Sequence, residues 1–202
     1  MNVATRTSSG WDIRRRDTTD RLAQVAHELF VLAGYANVSV EEIAAAGGVS
    51  ARTFHRYFPS KQDVLLMPRA MMDRMIIDRL EKLGRPRSPL REIRDVFIQL
   101  TEEAADLAPF VLWRRAIATA PDVEARASEE GRQRLMRALR RVFADWLGVD
   151  PEVDVRPDAM SSAVIGVNAV AVNRYLASNG TTDLGALFVE AFECLERGFG
   201  PR

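Results

Sequence analysis

The chain has 202 residues, 47% of them hydrophobic, and its 28 basic residues balance its 28 acidic ones. This length suffices for one compact domain and a smaller one, and the zero net charge excludes a nonspecific nucleic-acid coat while allowing a local basic face. No apolar run approaches the roughly 18 residues of a membrane-spanning helix, and no apolar signal core follows the arginine triplet 14–16. We therefore expect a cytoplasmic protein that has no membrane partner.

Helical patterns fill nearly the whole chain, which predicts an all-α fold. Residues 1–16 lack such a pattern and are expected to be a disordered basic arm, with minor-groove binding as the alternative. The first helix is predicted from about Asp17 to Gly34, because its apolar residues recur at helical spacing. His27 lies beside this apolar stripe and is interpreted as a partly buried structural residue.

A short helix and a glycine turn follow. Ser39 and Glu42 have the spacing of a capping box, which predicts a helix that begins at Val40. Gly47 and Gly48 can take the positive φ values that end this helix. The pattern is that of the first half of a helix-turn-helix, although paired short helices also occur in proteins that bind no DNA.

The second half of the motif is predicted over residues 51–58, with Ser50 as its cap. Phe54 and Phe58 are four residues apart and should both point inward. The outward face then carries four polar side chains and no carboxylate: Arg52, Thr53, His55 and Arg56. This face is suited to reading base edges in a DNA groove.

A third cap introduces a long helix. Pro59 ends the preceding helix, and Ser60 with Asp63 repeats the cap spacing. Lys61 stands at the N-terminus of the new helix, a position suited to a phosphate. The helix is predicted to continue to about residue 83, with a kink or a static bend at Pro68.

The segment GYANVSVEEIAAAGGVSARTFHRYFPSKQDVL, from Gly34 to Leu65, resembles the N-terminal domain of TetR-type regulators. The resemblance implies a three-helix DNA-binding domain over residues 17–62 and a helical effector-binding and dimerisation domain over residues 63–202. Where family members often have tyrosine, this chain has His55. The implied DNA-contacting residues are Ser39, Ser50, Ala51, Arg52, Thr53, His55, Arg56, Tyr57 and Lys61.

Five more helices are predicted: 89 to just before Pro109, then about 110–119, 121–147, 158–177 and 182–198. The last two are apolar on more than one face, which favours a partner subunit, with burial inside one subunit as the alternative. The resemblance implies a homodimer that places two recognition helices on successive major grooves of a palindromic operator and acts as a repressor. Cys194, in the last helix, is interpreted as a small buried hydrophobe.

An effector is expected among the middle helices. Side chains that could line an apolar cavity, or else form plain core, are Met71, Met75, Phe97, Leu100, Phe110, Trp113 and Val164, with Arg114, Asn168 or Asn173 as polar anchors. Residues 109–135 resemble the ligand domains of a TetR subgroup that binds acyl-CoA-like molecules. The resemblance implies a small hydrophobic effector that releases the operator.

No catalytic pattern is present. The sequence has no nucleophile elbow, no P-loop, no G-x-G-x-x-G segment and no Cys/His cluster, so we expect no enzyme, no cofactor and no metal site. The alternative to a ligand-responsive regulator is a helical architectural or partner-binding protein without effector response.

Overall fold

The computed structural model describes residues 10–84, 87–104 and 106–197. Over these ranges the fold is all-helical, as predicted. A short 3-10 helix, Tyr35–Asn37, follows the first helix. The α-helices in chain order are α1 Gly10–Ala33, α2 Val40–Ala46, α3 Ala51–Tyr57, α4 Lys61–Lys82, α5 Pro89–Glu103, α6 Ala108–Ile117, α7 Pro121–Leu147, α8 Arg156–Ala177 and α9 Leu184–Arg197.

The start of α1 differs from the prediction. The helix begins at Gly10 and not near Asp17, so residues 10–16 are helical where a disordered arm was expected. Neither proline nor glycine interrupts the sequence from residue 11 to residue 33, and arginine is a good helix former. The rest of the predicted arm, residues 1–9, lies outside the described residues.

The connection between α5 and α6 also differs. Helix α5 ends at Glu103, so Leu107 is not part of it, and Pro109 lies in the first turn of α6 where it was expected to close α5. Proline is tolerated in a first turn because the N–H groups there have no helical partner. The Asp106 carboxylate accepts a hydrogen bond from the Ala108 N–H at 2.8 Å and so caps this turn. The remaining boundaries agree with the predictions to within two residues.

The chain forms two compact units. The first unit takes the described residues of Met1–Leu66 together with Leu112–Val123, and the second unit takes those of Met67–Val111 and Glu124–Arg202. The second half of α6 therefore belongs with the first three helices, although it follows them at a distance in sequence. The sequence did not predict this membership.

Aromatic side chains fill the core of the first unit. Phe30, Phe54 and Phe58 are almost fully buried, and the rings of Phe54 and Phe58 lie 5.5 Å apart between centroids. Helix α2 contacts both α1 and α3. Other buried members of this core are Leu22, Ile43, Val64, Leu65, Trp113, Ala116 and Ile117. Burying the two phenylalanines of the helix-turn-helix leaves the opposite face of α3 for solvent or a partner.

The second unit buries the apolar stripe of α9 against α5 and α8. The ring centroid of Phe97 lies 5.5 Å from that of Phe188 and 6.1 Å from that of Phe192. Most of the stripe that we assigned to a partner subunit is thus covered inside one chain. The large apolar side chains of α8 and α9 that stay exposed are Val170 and Val189, and Cys194 is also exposed, so its prediction as a buried residue is wrong.

A buried carboxylate joins α4 to α7 in the second unit. Asp73 is 4% exposed and accepts hydrogen bonds from Arg69 Nε at 2.9 Å and from Arg134 Nη2 at 3.0 Å. Gly131 lets the two helices approach, because a Cβ atom there would lie 2.6 Å from Asp73 Oδ2. Within the described ranges no helix combines the length and the hydropathy that a membrane crossing requires.

Candidate nucleic-acid interface

Helix α2 begins with a complete capping box, as predicted. The Ser39 hydroxyl accepts from the Glu42 N–H at 3.2 Å, and the Glu42 carboxylate accepts from the Ser39 N–H at 2.7 Å. The hydrogen bonds that the Ser39 N–H and the Ser39 hydroxyl donate to the carboxylate lower the pKa of Glu42, because they stabilise its ionised form. The start of the helix-turn-helix is therefore fixed by residues close together in sequence.

The two glycines of the turn have different roles. Gly48 has a φ of 67°, whereas Gly47 has a φ of −80°, so the predicted positive φ holds for Gly48 alone. Gly47 is required for space, because a Cβ atom there would lie 2.5 Å from Leu22 Cδ2. The turn thus combines one left-handed residue with one close contact between α1 and the end of α2.

Helix α3 is capped by Ser50, whose hydroxyl accepts from the Thr53 N–H at 3.1 Å. The Ser50 and Thr53 side-chain oxygens lie 3.0 Å apart, which holds Thr53 at the start of the helix. Arg52, His55 and Arg56 are exposed, while Thr53 is half-buried. From residue 47 to residue 61 the sequence contains no carboxylate, so α3 itself carries no acidic group that would neutralise this face.

The exposed His55 side chain provides a hydrogen-bond acceptor on α3. Its Nδ1 lies 3.1 Å from the Pro59 carbonyl oxygen. Since a carbonyl can only accept, Nδ1 carries the hydrogen, and Nε2 of the neutral ring is left as an acceptor. The face of α3 therefore combines the guanidinium donors of Arg52 and Arg56 with one acceptor, which the sequence analysis did not anticipate.

Two side chains of α1 join this face through Tyr57. The Tyr57 hydroxyl accepts from Arg56 Nη2 at 3.2 Å and makes a second hydrogen bond with Thr18. The Arg56 hydrogen bond, then the Thr18 hydrogen bond and the nearby charges of Arg56 and Arg15, lower the pKa of Tyr57. Arg15 and Thr18 were missed because only the α1–α3 packing brings them to the motif, although the arginine triplet was a signal.

Lys61 makes hydrogen bonds to backbone carbonyls that its sequence position did not predict. Its ammonium donates to the Tyr35 carbonyl at 2.9 Å and to the Val38 carbonyl at 2.8 Å, and it lies 4.4 Å from the centroid of the Tyr35 ring. Two of its three donors are thus used to fix the 3-10 helix, which leaves one for a phosphate. The Ser60 N–H and hydroxyl donate to the Asp63 carboxylate at 2.8 and 2.7 Å, so the carboxylate half of the predicted cap of α4 is present.

The residues that we predicted to line an effector cavity do not form one group. Met71 is 60% exposed and Met75 is 48% exposed, because the side of α4 that carries Asp73 faces the core of the second unit. Trp113 is buried in the first unit, where its Nε1 donates to the Leu65 carbonyl at 2.8 Å. For these three residues the structure gives surface or first-unit positions in place of the predicted cavity.

The other candidates are divided between the units. Arg114 belongs to the first unit, and its guanidinium lies 5.7 Å from the centroid of the Trp113 ring. The candidates that belong to the second-unit core or pack against it are Phe97, Leu100, Phe110 and Val164. Asn168 is half-buried and Asn173 is exposed.

A capped helix-turn-helix with a basic, carboxylate-free second helix defines a DNA-binding regulator of transcription. Residues 22–66 match the family model of the bacterial regulatory proteins of the tetR family, and residues 87–200 match that of the MftR C-terminal domain. The chain is 34% identical over 200 residues to the HTH-type transcriptional regulator TcmR of Streptomyces glaucescens, an alignment that covers 93% of this chain and 86% of that protein. The chain therefore belongs to the TetR family, and it is a transcriptional regulator and not an enzyme.

Solved structures share the fold. Thermus thermophilus FadR in complex with lauroyl-CoA has a TM-score of 0.57 and 23% identity, covering 91% of this chain and 96% of that one. The SmeT–triclosan complex has a TM-score of 0.66 and 16% identity, covering 88% of each chain. At these identities the likeness establishes the all-helical fold with its N-terminal helix-turn-helix.

Proposed function

We propose that the protein is a homodimeric repressor that binds a palindromic operator and is released by a small hydrophobic effector. The observation that carries this proposal is the outer face of α3, where Arg52, His55 and Arg56 are exposed in a segment without carboxylates. A repressor of this kind needs only to occlude a promoter, so no contact with polymerase is required. The proposed function has four parts: base reading, phosphate contacts, dimerisation and release of the operator.

Base reading falls to Arg52, Thr53 and His55 on α3, which enters the major groove. A guanidinium such as that of Arg52 can bond guanine O6 and N7 together. The Nε2 acceptor of His55 suits an amino group, on adenine N6 or cytosine N4. Arg56 can contact either a base or a phosphate. Its Nη2 also donates to the Tyr57 hydroxyl.

Phosphate contacts surround this reading face. The candidates from α2, α3 and α4 are Ser39, Ser50, Ala51, Tyr57 and Lys61. We add Arg15 and Thr18 of α1, because Thr18 bonds the Tyr57 hydroxyl beside Arg56 and the positive charge of Arg15 acts on the same hydroxyl. Contacts of this kind set the register of the protein on the duplex without reading its sequence.

Dimerisation is assigned to α8 and α9. Val170 is 53% exposed and Val189 is 37% exposed, and a Cβ atom at Gly166 would meet nothing within 4 Å. Apolar and small residues on an uncovered helix face suit a second pair of helices in a four-helix bundle. A two-fold axis there places two copies of α3 on half-sites about 34 Å apart.

Release is assigned to an effector with a large apolar part, such as an acyl-CoA-like molecule, in the second unit. Two proteins of this fold were solved with lauroyl-CoA and with triclosan, and the second unit matches a family model of its own. The remaining candidate contacts are Phe97, Leu100, Phe110, Val164 and Asn168. An effector lowers operator affinity only by the difference in its own affinity for the two conformations.

Selection of binding sites from a random-sequence DNA pool tests the proposal. We expect an enriched palindrome whose half-sites lie about one helical turn apart, because a two-fold dimer presents two α3 helices. The Arg52→Ala/Thr53→Ala double variant should remain folded, by circular dichroism, and enrich no sequence. An enriched site without two-fold symmetry would contradict the dimer, and the same site enriched by the double variant would contradict the assignment of α3.

A further inference from the structure

Helix α4 contains a gap in its backbone hydrogen bonds. Pro68 lies inside the helix and has no N–H, so the carbonyl four residues earlier, that of Val64, lacks its helical donor. Val64 is fully buried, which limits replacement of that donor by water. A buried carbonyl without a partner destabilises a fold, so another donor is required.

His27 of α1 supplies the missing donor. Its Nε2 lies 3.2 Å from the Val64 carbonyl oxygen, and because a carbonyl only accepts, Nε2 carries the hydrogen. The ring is 5% exposed, and this burial lowers the pKa of His27, which favours the neutral form. The predicted structural histidine thus has a specific partner, the carbonyl that the proline leaves open.

Trp113 of α6 bonds the next carbonyl along the same turn. Its Nε1 donates to the Leu65 carbonyl at 2.8 Å, and its side chain is 2% exposed. Two consecutive carbonyls of α4 are therefore bonded by side chains from two other helices of the first unit. The same helix begins at Lys61, whose ammonium fixes the Tyr35 and Val38 carbonyls.

We propose that His27 and Trp113 are positioning residues for DNA binding, which bond the α4 carbonyls beside the proline gap and thereby hold the start of α4 and the helix-turn-helix in their DNA-binding arrangement. The proposal rests on the proposed function, because its readout is affinity for DNA. Pro68 contributes to this arrangement, because it leaves the Val64 carbonyl without a helical donor and His27 of α1 then bonds that carbonyl. Neither side chain needs to touch DNA.

A double-mutant cycle between His27 and Pro68 tests the hydrogen bond. In the wild-type background, His27→Leu should lower the folding equilibrium constant about tenfold, since it leaves the Val64 carbonyl unpaired. In the Pro68→Ala background the same change should have a much smaller effect, because the N–H of the introduced alanine restores the helical donor. Equal effects in both backgrounds, measured by urea unfolding, would overturn the pairing of His27 with the proline gap.

Measurements of DNA affinity distinguish a positioning role of His27 from a contribution to stability alone. Under conditions where every variant is folded, His27→Leu should weaken binding to the selected operator roughly twofold to thirtyfold, the range of indirect couplings, and His27→Gln, which keeps a donor, should restore it. His27→Leu/Pro68→Ala should regain stability without regaining affinity, because the tie to α1 is still absent. Affinity that returns together with stability would show a purely structural role.

Trp113→Phe gives an independent test with a matched control. It removes the Nε1 donor and keeps a ring, so it should weaken DNA binding, whereas Trp146→Phe, at a half-buried position on α7, should not. Equal affinities for the two variants would overturn the role of Trp113. A wild-type protein that binds no duplex would refute the proposed function and the positioning role, while the stability cycle would still decide the hydrogen bond.

Discussion

In the first unit, buried or half-buried side chains donate to backbone carbonyls of other segments. In the second unit, most of the bonds that side chains make to other segments are ion pairs, although Arg140 also donates to the Pro151 carbonyl at 2.6 Å. His27, Lys61 and Trp113 are the donors of the first kind. Arg134 with Asp73 and Arg79 with Glu103 are examples of the second. A bond to a carbonyl fixes the backbone itself, while an exposed ion pair tolerates movement and contributes little.

The difference suits a regulator whose two units have different tasks. Base reading requires that side chains be held close to one geometry, so a rigid backbone around α3 is an advantage. The second unit, which we propose to bind the effector, must occupy two conformations of similar free energy for release to occur. Asp73 is the exception in the second unit, because it is buried and its bond to Arg134 fixes α4 against α7, while Arg69 bonds it within α4.

The largest effect on the free energy of unfolding is expected from a substitution that disturbs the buried ion pairs of Asp73. Gly131→Ala places a Cβ atom 2.6 Å from Asp73 Oδ2 and 2.8 Å from Arg69 Nη2. We expect the free energy of unfolding to fall by about 3 kcal/mol, because the buried ion pair must shift to relieve the overlap. Arg137→Ala, at an exposed position of the same helix, is the control and should leave the free energy of unfolding nearly unchanged. Equal unfolding midpoints for the two variants in urea would refute the close approach.

The reading face of the first unit should lose specificity without losing stability. Arg52→Ala should weaken operator binding by about 2 kcal/mol and relax the preference at one base pair in each half-site. Arg74→Ala, at an arginine whose side chain is 84% exposed in the second unit, is the control and should leave affinity unchanged. The measurement is fluorescence anisotropy on the operator and on single-base variants. A uniform loss over all variants would assign Arg52 to a phosphate.

A smaller and non-selective effect is expected at α1. Arg15→Ala should weaken binding to operator and to an unrelated duplex equally, by roughly eightfold at about 0.1 M salt, and reduce the slope of log affinity against log salt by about 0.9. Arg21→Ala, an exposed arginine of the same helix, is the control. If both variants have the same slope, Arg15 makes no phosphate contact.

The smallest effect is expected in the pH dependence of the free energy of unfolding, to which the buried His27 contributes. Burial lowers the pKa of His27 from 6.5, so the unfolded chain takes up a proton more readily than the folded one. The free energy of unfolding should therefore decrease as the pH falls below about 6.5, and less so in His27→Gln. Urea titrations at several pH values measure the difference. A variant with the same pH dependence as the wild type would show that His27 is not the titrating group.

The helix-turn-helix could be predicted closely because its determinants are close together in sequence. The Ser39 and Ser50 hydroxyls each accept from the N–H three positions away, and at Ser60 the Asp63 carboxylate accepts from the Ser60 N–H. The same local rules could not place Trp113 in the first unit, because its partner Leu65 is 48 residues away. Helical spacing alone likewise could not tell that Met71 and Met75 face outward, since Asp73 and not an apolar residue turns inward on that turn of α4.

The central claim is that this chain reads DNA with α3 and releases it through the second unit. The most direct test is a mobility shift of the purified protein on the DNA flanking its own gene, at two salt concentrations, with and without a long-chain acyl-CoA. We expect a sequence-specific, salt-sensitive complex that the acyl-CoA dissociates, and one that Arg52→Ala forms about thirtyfold more weakly. A complex that forms equally on any duplex, or that Arg52→Ala forms unchanged, would contradict the account.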